Sequence, residues 1–152
     1  MNAFNQLIHN TVFMSAATGW LVAQILKTII YGILNKTFNP ERMVGSGGMP
    51  SSHSATVCAL CASTGMAYGV GSFEFAISFI LAFIVMYDAC NVRLETGKQA
   101  VAIKEMQELL RRISKHPLSP EDTLKELVGH TFPQVVVGAV LGIAIGVGFM
   151  LL

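Results

Sequence analysis

Apolar residues fall into three long runs separated by polar stretches. The first run, 11–34, carries one charge, and the last, 132–152, carries none. The middle run, 55–87, is interrupted by a Gly/Ser-rich turn at 69–74. About 20 helical residues cross a hydrocarbon core of ~30 Å, so the middle run is long enough for two short spans. The pattern predicts one all-α, membrane-embedded helical bundle over 1–152, with about four spans at roughly 11–34, 54–70, 73–90 and 132–152.

Two polar segments, 35–53 and 91–131, separate the predicted spans. In the second one, apolar residues at helical spacing and pairs of opposite charge four residues apart predict an amphipathic helix between spans 3 and 4 that ends before Pro117. The apolar residues are Met106, Leu109, Leu110 and Ile113. We interpret this helix as a connector that rests on the membrane surface. Another helix is expected from Ser119, with Gly129 at its end.

Composition supports a membrane protein. Of the 152 residues, 53% are hydrophobic and 12% are charged, with a mean hydropathy of +0.58. Soluble domains carry about 25% charged residues. The formal net charge of +1 indicates no particular partner, and no nucleic-acid partner is expected. Three cysteines without framework spacing do not indicate a disulfide scaffold.

The basic residues predict the orientation in the membrane. With four spans, both polar segments lie on one side and both termini on the other. Lys27 lies within the first span, and all other Lys and Arg residues lie in the two polar segments: Lys36, Arg42, Arg93, Lys98, Lys104, Arg111, Arg112, Lys115 and Lys125. The positive-inside rule therefore places these segments in the cytoplasm of a cell-membrane protein.

Lys27 and the start of the second span form the first candidate site. A charge within a span costs about 2.5 kcal/mol or more, so Lys27 is interpreted as facing an anionic group; snorkelling to the interface is the alternative. The stretch GSGGMPSSHSATV (45–57) opens the second span, with Ser51 or Ser52 as N-cap and His53 in the first turn. Backbone N–H groups and hydroxyls at such a helix start suit an anion, although a simple capped turn is also consistent with this pattern.

A second polar cluster lies where the third span ends. Asp88 is placed at the membrane boundary, where a carboxylate is costly unless it is paired. Arg93 or Lys27 is its expected partner, and Lys98 follows a few residues later. A purely structural ion pair is the alternative interpretation of this cluster.

The third cluster, just before the last span, contains Glu126 and His130, four residues apart. All three clusters converge on one membrane face. Two imidazoles, several cations and a helix N-terminus suit phosphoryl transfer: one imidazole attacks phosphorus, the other protonates the leaving oxygen, and the cations stabilise the phosphoryl oxygens. A metal site built from His53, His130, Asp88 and Glu126 lacks any local metal-binding spacing, so neither a metal nor another cofactor is expected.

Three stretches carry a resemblance to a known family: GGMPSSHSATV, IVMYDACNVRLETGKQA and LKELVGHTFPQVVVGAVLGI. They resemble the divergent branch of the type 2 phosphatidic acid phosphatase superfamily, a group of small integral membrane proteins. The parent superfamily uses a P-S-G-H motif as general acid and phosphate contact, and a later histidine as the nucleophile that becomes phosphohistidine. The resemblance implies that His53 is the acid and His130 the nucleophile, with Ser51 matching the motif and Ser52 replacing its glycine.

The chain departs from the parent pattern after the nucleophile. The parent has an aspartate four residues further on that orients the nucleophile, and this chain has Gln134. Glu126 or Asp88 is the expected substitute for that carboxylate.

The parent's cationic motifs are also incomplete here. Lys36 and Arg42 lie one residue short of the spacing of its first motif, and the proline that follows the arginine is missing. The Ser-Arg pair before the nucleophile is absent as well. Arg93 and Lys98 are expected to supply that positive charge.

The sequence therefore predicts a membrane-embedded phosphatase that hydrolyses a lipid phosphate monoester or diphosphate through a phosphohistidine and without a metal. Phosphate contacts are expected from Lys27, Arg42, Ser51, Ser52, Arg93 and Lys98. The expected partners are a phospholipid or polyprenyl phosphate substrate and the surrounding membrane lipids. A non-catalytic module that binds lipid phosphate or assists assembly, on a degenerate phosphatase scaffold, is the alternative function.

Glycines in the last span suggest close helix packing. Gly138, Gly142 and Gly146 recur at intervals of four. Small residues at this spacing let two helix backbones approach closely. The neighbouring helix is either another helix of the same chain or a second copy in a homo-oligomer.

Overall fold

The computed structural model describes residues 2–36, 48–113 and 129–152. In these ranges the chain is helical and has no strand, which confirms the all-α class. The helices are α1 (Ala3–Ile8), α2 (Thr11–Asn35), α3 (Ser52–Tyr68), α4 (Phe73–Cys90), α5 (Val92–Ile113) and α6 (Phe132–Leu151). The helix expected from Ser119 lies outside the described residues.

In the described ranges, three helical segments are long and apolar enough to cross a membrane. They are Thr11–Asn35, which is α2, Phe73–Leu110, which covers α4 and most of α5, and Phe132–Leu151, which is α6. Among the described helices, α3 does not meet this condition, because it has 17 residues and is rich in Ser and Thr. Three helical segments therefore support an integral membrane bundle. The second predicted span corresponds to α3, which packs against α2, α4 and α6.

The turn between α3 and α4 follows from its Gly and Ser residues. Gly69 ends α3 with a φ of 85°, which glycine adopts without strain, and its N–H donates to the carbonyl oxygen of Gly65. Ser72 then caps α4, because its hydroxyl oxygen accepts a hydrogen bond from the N–H of Phe75 at 3.1 Å. The two helices pack against each other as the predicted hairpin.

The central helix is α3, which packs against α2, α4 and α6. The glycine stripe of α6 faces it: a Cβ added to Gly138, Gly142 or Gly146 would collide with the backbone of Ser51, Ala55 or Ala59, respectively. Both sets of positions advance by four residues in the same direction, so the two helices run parallel and in register. The glycine stripe therefore forms a contact within the chain, the first of the two alternatives that its spacing allowed.

Small side chains and satisfied hydroxyls fill the space around α3. The Ser15 hydroxyl donates to Ser63 Oγ at 2.8 Å, and this bond joins α2 to α3. Thr64 donates to the carbonyl oxygen of Leu60 within the same helix. Large apolar side chains instead stay exposed on the outside, where lipid would cover them. The bundle therefore has a small-residue interior and an apolar exterior.

The predicted amphipathic helix is α5, and a single residue, Asn91, separates it from α4. Its apolar side chains are exposed at Val101, Ile103, Met106, Leu109, Leu110 and Ile113. Among the described helices, α5 packs only against α4. The expectation that it rests on the membrane surface remains a prediction.

The packing of the glycine stripe can be tested with a matched pair of substitutions. Gly142→Ala inserts a methyl group against the Ala55 backbone and is expected to lower the free energy of unfolding by about 1–3 kcal/mol. Gly148 lies on the same helix, and a Cβ added there would meet no neighbouring atom within 4 Å. Gly148→Ala should therefore be neutral or slightly stabilising. Thermal unfolding in detergent measures both, and equal Tm changes would contradict the packing.

Candidate functional site

The N-terminal ends of α3 and α6 bring two histidines together. His53 lies in the first turn of α3, and His130 lies two residues before α6 begins. Their ring centroids are 5.9 Å apart, with an angle of 64° between the ring planes. A hydrogen bond of 3.1 Å from the N–H of Ser51 to the carbonyl oxygen of Gln134 joins the two helix starts. His53 and His130, which the sequence analysis paired, are therefore adjacent in the structure.

His130 is held by the junction between α4 and α5. Its N–H donates to the carbonyl oxygen of Ala89 at 3.0 Å. The preceding Gly129 has a φ of 96°, and a Cβ there would collide with the backbone of Arg93 and Leu94. Only glycine meets both conditions without strain. The His130 side chain is consequently buried, with 2% of the residue's surface exposed.

The Gln134 side chain contacts the His130 ring. Its Oε1 accepts a hydrogen bond from the N–H of Thr131 at 3.1 Å and lies 3.2 Å from Nδ1 of His130. A backbone N–H can only donate, so this Gln134 atom must be the amide oxygen, and Nδ1 of His130 must carry the hydrogen. In the neutral ring the lone pair is then on Nε2. This atom is buried and has no hydrogen-bond partner among the described residues.

Lys27 is buried close to the histidines. Only 3% of its surface is exposed, so its side chain does not snorkel to the exterior. The turn before α3 covers it: Gly48 has a φ of 88°, and a Cβ there would lie 3.2 Å from Cδ of Lys27. The positive charge of Lys27 acts on both His53 and His130. Such a charge is expensive in an apolar bundle unless it faces a polar or anionic group.

The predicted pair of Asp88 and Arg93 is present. Arg93 Nε donates to Asp88 Oδ2 at 2.6 Å, and both side chains are partly exposed. The charge of Arg93 also acts on His53. Lys98 instead pairs with Glu95 at 2.6 Å on an exposed part of α5, and within the described chain it contacts neither imidazole. Arg93 thus lies at the site, while Lys98 lies on the surface of α5.

Ser51 is the N-cap of α3, which decides between the two serines that the sequence offered. Its Oγ accepts hydrogen bonds from the N–H of Ser54 at 3.3 Å and from the Ser54 hydroxyl at 3.0 Å. Ser52 is the first residue of the helix and is also buried. His53 lies in the first turn of this helix, where the helix N-terminus favours an anion.

Burial lowers the pKa of His130 below its ordinary value of 6.5. The hydrogen bond to Gln134 raises this pKa, the charges of His53 and Lys27 lower it, and the nearby Gly48 backbone raises it. The net direction is downward, because desolvation disfavours the charged ring. His130 is therefore neutral at neutral pH, with an unprotonated Nε2.

Two predicted site residues, Arg42 and Glu126, lie outside the described residues. Asp88, the other candidate for orienting His130, is bound by Arg93. The site residue that the sequence interpretation missed is Gln134, whose amide oxygen contacts Nδ1 of His130. Its spacing of four from His130 was the available signal, but the absence of a carboxylate was interpreted as the loss of the contact.

Metal ligands are not grouped in the described residues, where no three His, Cys, Asp or Glu side chains are placed to hold one ion. Cys58, Cys61 and Cys90 are free thiols. The polar groups that do converge are imidazoles, cations and helix N–H groups, a set that suits an anion.

The fold and the site define an integral membrane protein with two adjacent histidine rings at one end of a helical bundle. The chain belongs to the family described as the Divergent PAP2 family, whose sequence model matches residues 8–145. This confirms the resemblance that the three motifs carry. A relative from Bacillus subtilis (strain 168), named "Uncharacterized membrane protein YuiD", is 34% identical over 146 residues, covering 91% of this chain and 92% of the relative. No solved structure matches.

The lowered pKa of His130 predicts a pH-dependent stability. Between the folded and unfolded pKa values of His130, the unfolded chain binds more protons than the folded chain. The contribution of His130 to folding stability is therefore fully present above about pH 6.5 and is lost as the pH falls below that value. We expect Tm in detergent to fall between about pH 7.5 and about pH 5.5, and to fall less in His130→Asn, whose amide keeps a donor near the Nδ1 position but does not titrate.

The matched control is His9→Asn. His9 is exposed at the end of α1, where it bonds only to its own helix. This variant should keep the pH dependence of the wild type. A His130→Asn variant that shows the same dependence as the wild type would contradict the lowered pKa.

Proposed function

We propose that this protein is a membrane-embedded phosphatase that hydrolyses a lipid phosphate monoester or diphosphate through a phosphohistidine at His130. One observation carries the proposal: two adjacent imidazoles, with Nδ1 of His53 and Nε2 of His130 both buried and without partners in the described chain. Buried polar atoms are normally paired, so atoms left without a partner at one place indicate a site for a ligand. The family to which the chain belongs supports the same reaction class.

The charges around the pair favour a phosphate group. Lys27 is buried beside the rings, Arg93 acts on His53, and the first N–H groups of α3 are at the same place. Each of these stabilises negative charge on phosphoryl oxygens. A bound phosphate dianion in turn favours the protonated form of His53, because an opposite charge nearby stabilises the cation.

In the proposed reaction, the Nε2 lone pair of His130 attacks phosphorus, and the bond between phosphorus and the lipid oxygen breaks. His53 gives its proton to that oxygen, which leaves as an alcohol, or as a lipid monophosphate when the substrate is a diphosphate. Water then attacks the phosphohistidine, neutral His53 accepts the proton from water, and inorganic phosphate leaves. Each step needs only groups that the site or the solvent supplies.

The position of the histidines in the bundle supports a lipid substrate. The histidines lie at the ends of α3 and α6, and the exposed outer surfaces of α2, α4 and α6 are apolar. A lipid tail can therefore stay in the membrane while its phosphate reaches the histidine pair. The concentration of basic residues in the two polar segments supports a cytoplasmic site, with both termini on the opposite side.

Phosphate release from phosphatidate, phosphatidylglycerophosphate and polyprenyl diphosphate, with and without a chelator, tests the function in purified detergent-solubilised protein. We expect turnover of at least one substrate, unaffected by the chelator. His130→Ala should abolish it, and His53→Ala should reduce it by about 10²–10⁴-fold. His9→Ala is the matched control and should retain wild-type activity. Turnover that survives His130→Ala would exclude the proposed nucleophile.

A non-catalytic lipid-phosphate-binding module is the second candidate function. The neutral Gln134 beside His130 favours it, because an amide provides no negative charge to stabilise a cationic ring. This candidate predicts phosphate-lipid binding without turnover, and binding that persists in His130→Ala. The release assay and a vesicle-binding assay on the same variants separate the two functions.

A further inference from the structure

We propose that Gln134 is a positioning residue that holds His130 in the Nδ1–H tautomer, so that the neutral ring presents its Nε2 lone pair to the bound anion. The inference deepens the proposed function and rests on it for its catalytic consequence. The choice of tautomer depends only on the hydrogen bonds of the Gln134 amide oxygen.

Contacts other than the His130 ring hold the side-chain oxygen of Gln134 in place. It accepts the N–H of Thr131, the N-cap residue of α6, and the Gln134 backbone oxygen accepts the N–H of Ser51. Both ends of this residue are thus tied to the starts of α3 and α6. An acceptor held in this way can select one tautomer of His130, because only the form with hydrogen on Nδ1 donates to it.

An amide and a carboxylate differ in what they do for an imidazole. Both accept the Nδ1 hydrogen, but a carboxylate also stabilises the cationic ring, whereas an amide leaves the ring neutral. The charges of His53 and Lys27 act on His130, and they also disfavour a cationic ring. Gln134 therefore orients His130 while keeping it unprotonated, the state in which Nε2 can attack or accept a hydrogen bond.

Nitrogen-15 NMR of the histidine rings in detergent tests this directly at about pH 7.5. His130 signals are assigned by their loss in His130→Asn. We expect wild-type His130 to show hydrogen on Nδ1 and an unprotonated Nε2. Gln134→Leu should lose this preference, and Gln134→Glu, which keeps the acceptor and adds a charge, should retain the Nδ1 hydrogen and titrate at higher pH than the wild type.

Kinetics give a second readout. With a substrate that the wild type hydrolyses, Gln134→Leu should lower kcat on the order of tenfold to a hundredfold with little change in KM, because it changes the orientation of the ring and not the charges that bind phosphate. Gln134→Glu should recover most of the loss. Ser72→Ala removes a helix N-cap at the α3–α4 turn and controls for a general loss of stability.

The outcomes separate the two proposals. Hydrogen on Nε2 in the wild type, or a tautomer unchanged in Gln134→Leu, would overturn the positioning role. An unchanged kcat in Gln134→Leu would overturn its catalytic consequence. The expected tautomers in a wild type without turnover would support the positioning by Gln134 and overturn the proposed phosphatase activity.

Discussion

The close contact between α3 and α6 brings the two histidines of the site together. Three glycines of α6 lie directly against the backbone of α3, and any larger residue at these positions would push the two helices apart. Because the helices run parallel and in register, their N-terminal ends meet, and these ends carry His53 and His130. A larger distance between the helix axes would separate the rings, whatever their local geometry. The glycine stripe is thus a requirement of the site as much as of the fold.

The same contact explains why α3 tolerates so many polar residues. The Thr64 hydroxyl bonds to a backbone oxygen of α3, Ser63 accepts from Ser15 of α2, and the Ser54 hydroxyl bonds to Ser51. Neighbouring helices surround α3. A helix that lipid does not surround needs less apolar surface than one at the exterior. The short, polar α3 can therefore present Ser51, Ser52 and His53 at its start, while α2, α4 and α6 supply the apolar surface that a membrane requires.

Much of this architecture could be predicted from sequence, because hydrophobic periodicity, turn glycines and helix caps are local properties. The hairpin turn at Gly69 and Ser72, the cap at Ser51 and the amphipathic α5 all follow from a few neighbouring residues. The pairing of His53 with His130 was predicted from the convergence of the polar clusters on one membrane face and from the family motifs, because nothing local connects residues so distant in the chain. The glycine spacing indicated close packing but not its partner, which depends on the tertiary arrangement.

Gln134 was not predicted as an orienting residue because its role depends on a turn that the sequence does not reveal. Nothing in the residue type shows that its side chain bends back over the N-cap of α6 to meet both Thr131 and His130. The neutral amide has a consequence for the chemistry. A phosphoryl group on Nε2 would leave the ring cationic, because Nδ1 keeps its hydrogen, and in this site no carboxylate contacts that ring among the described residues. Lys27 adds repulsion. In the proposed reaction the phosphorylated ring would therefore be electrostatically destabilised, and it would pass its phosphoryl group to water more readily than a ring that a carboxylate stabilises.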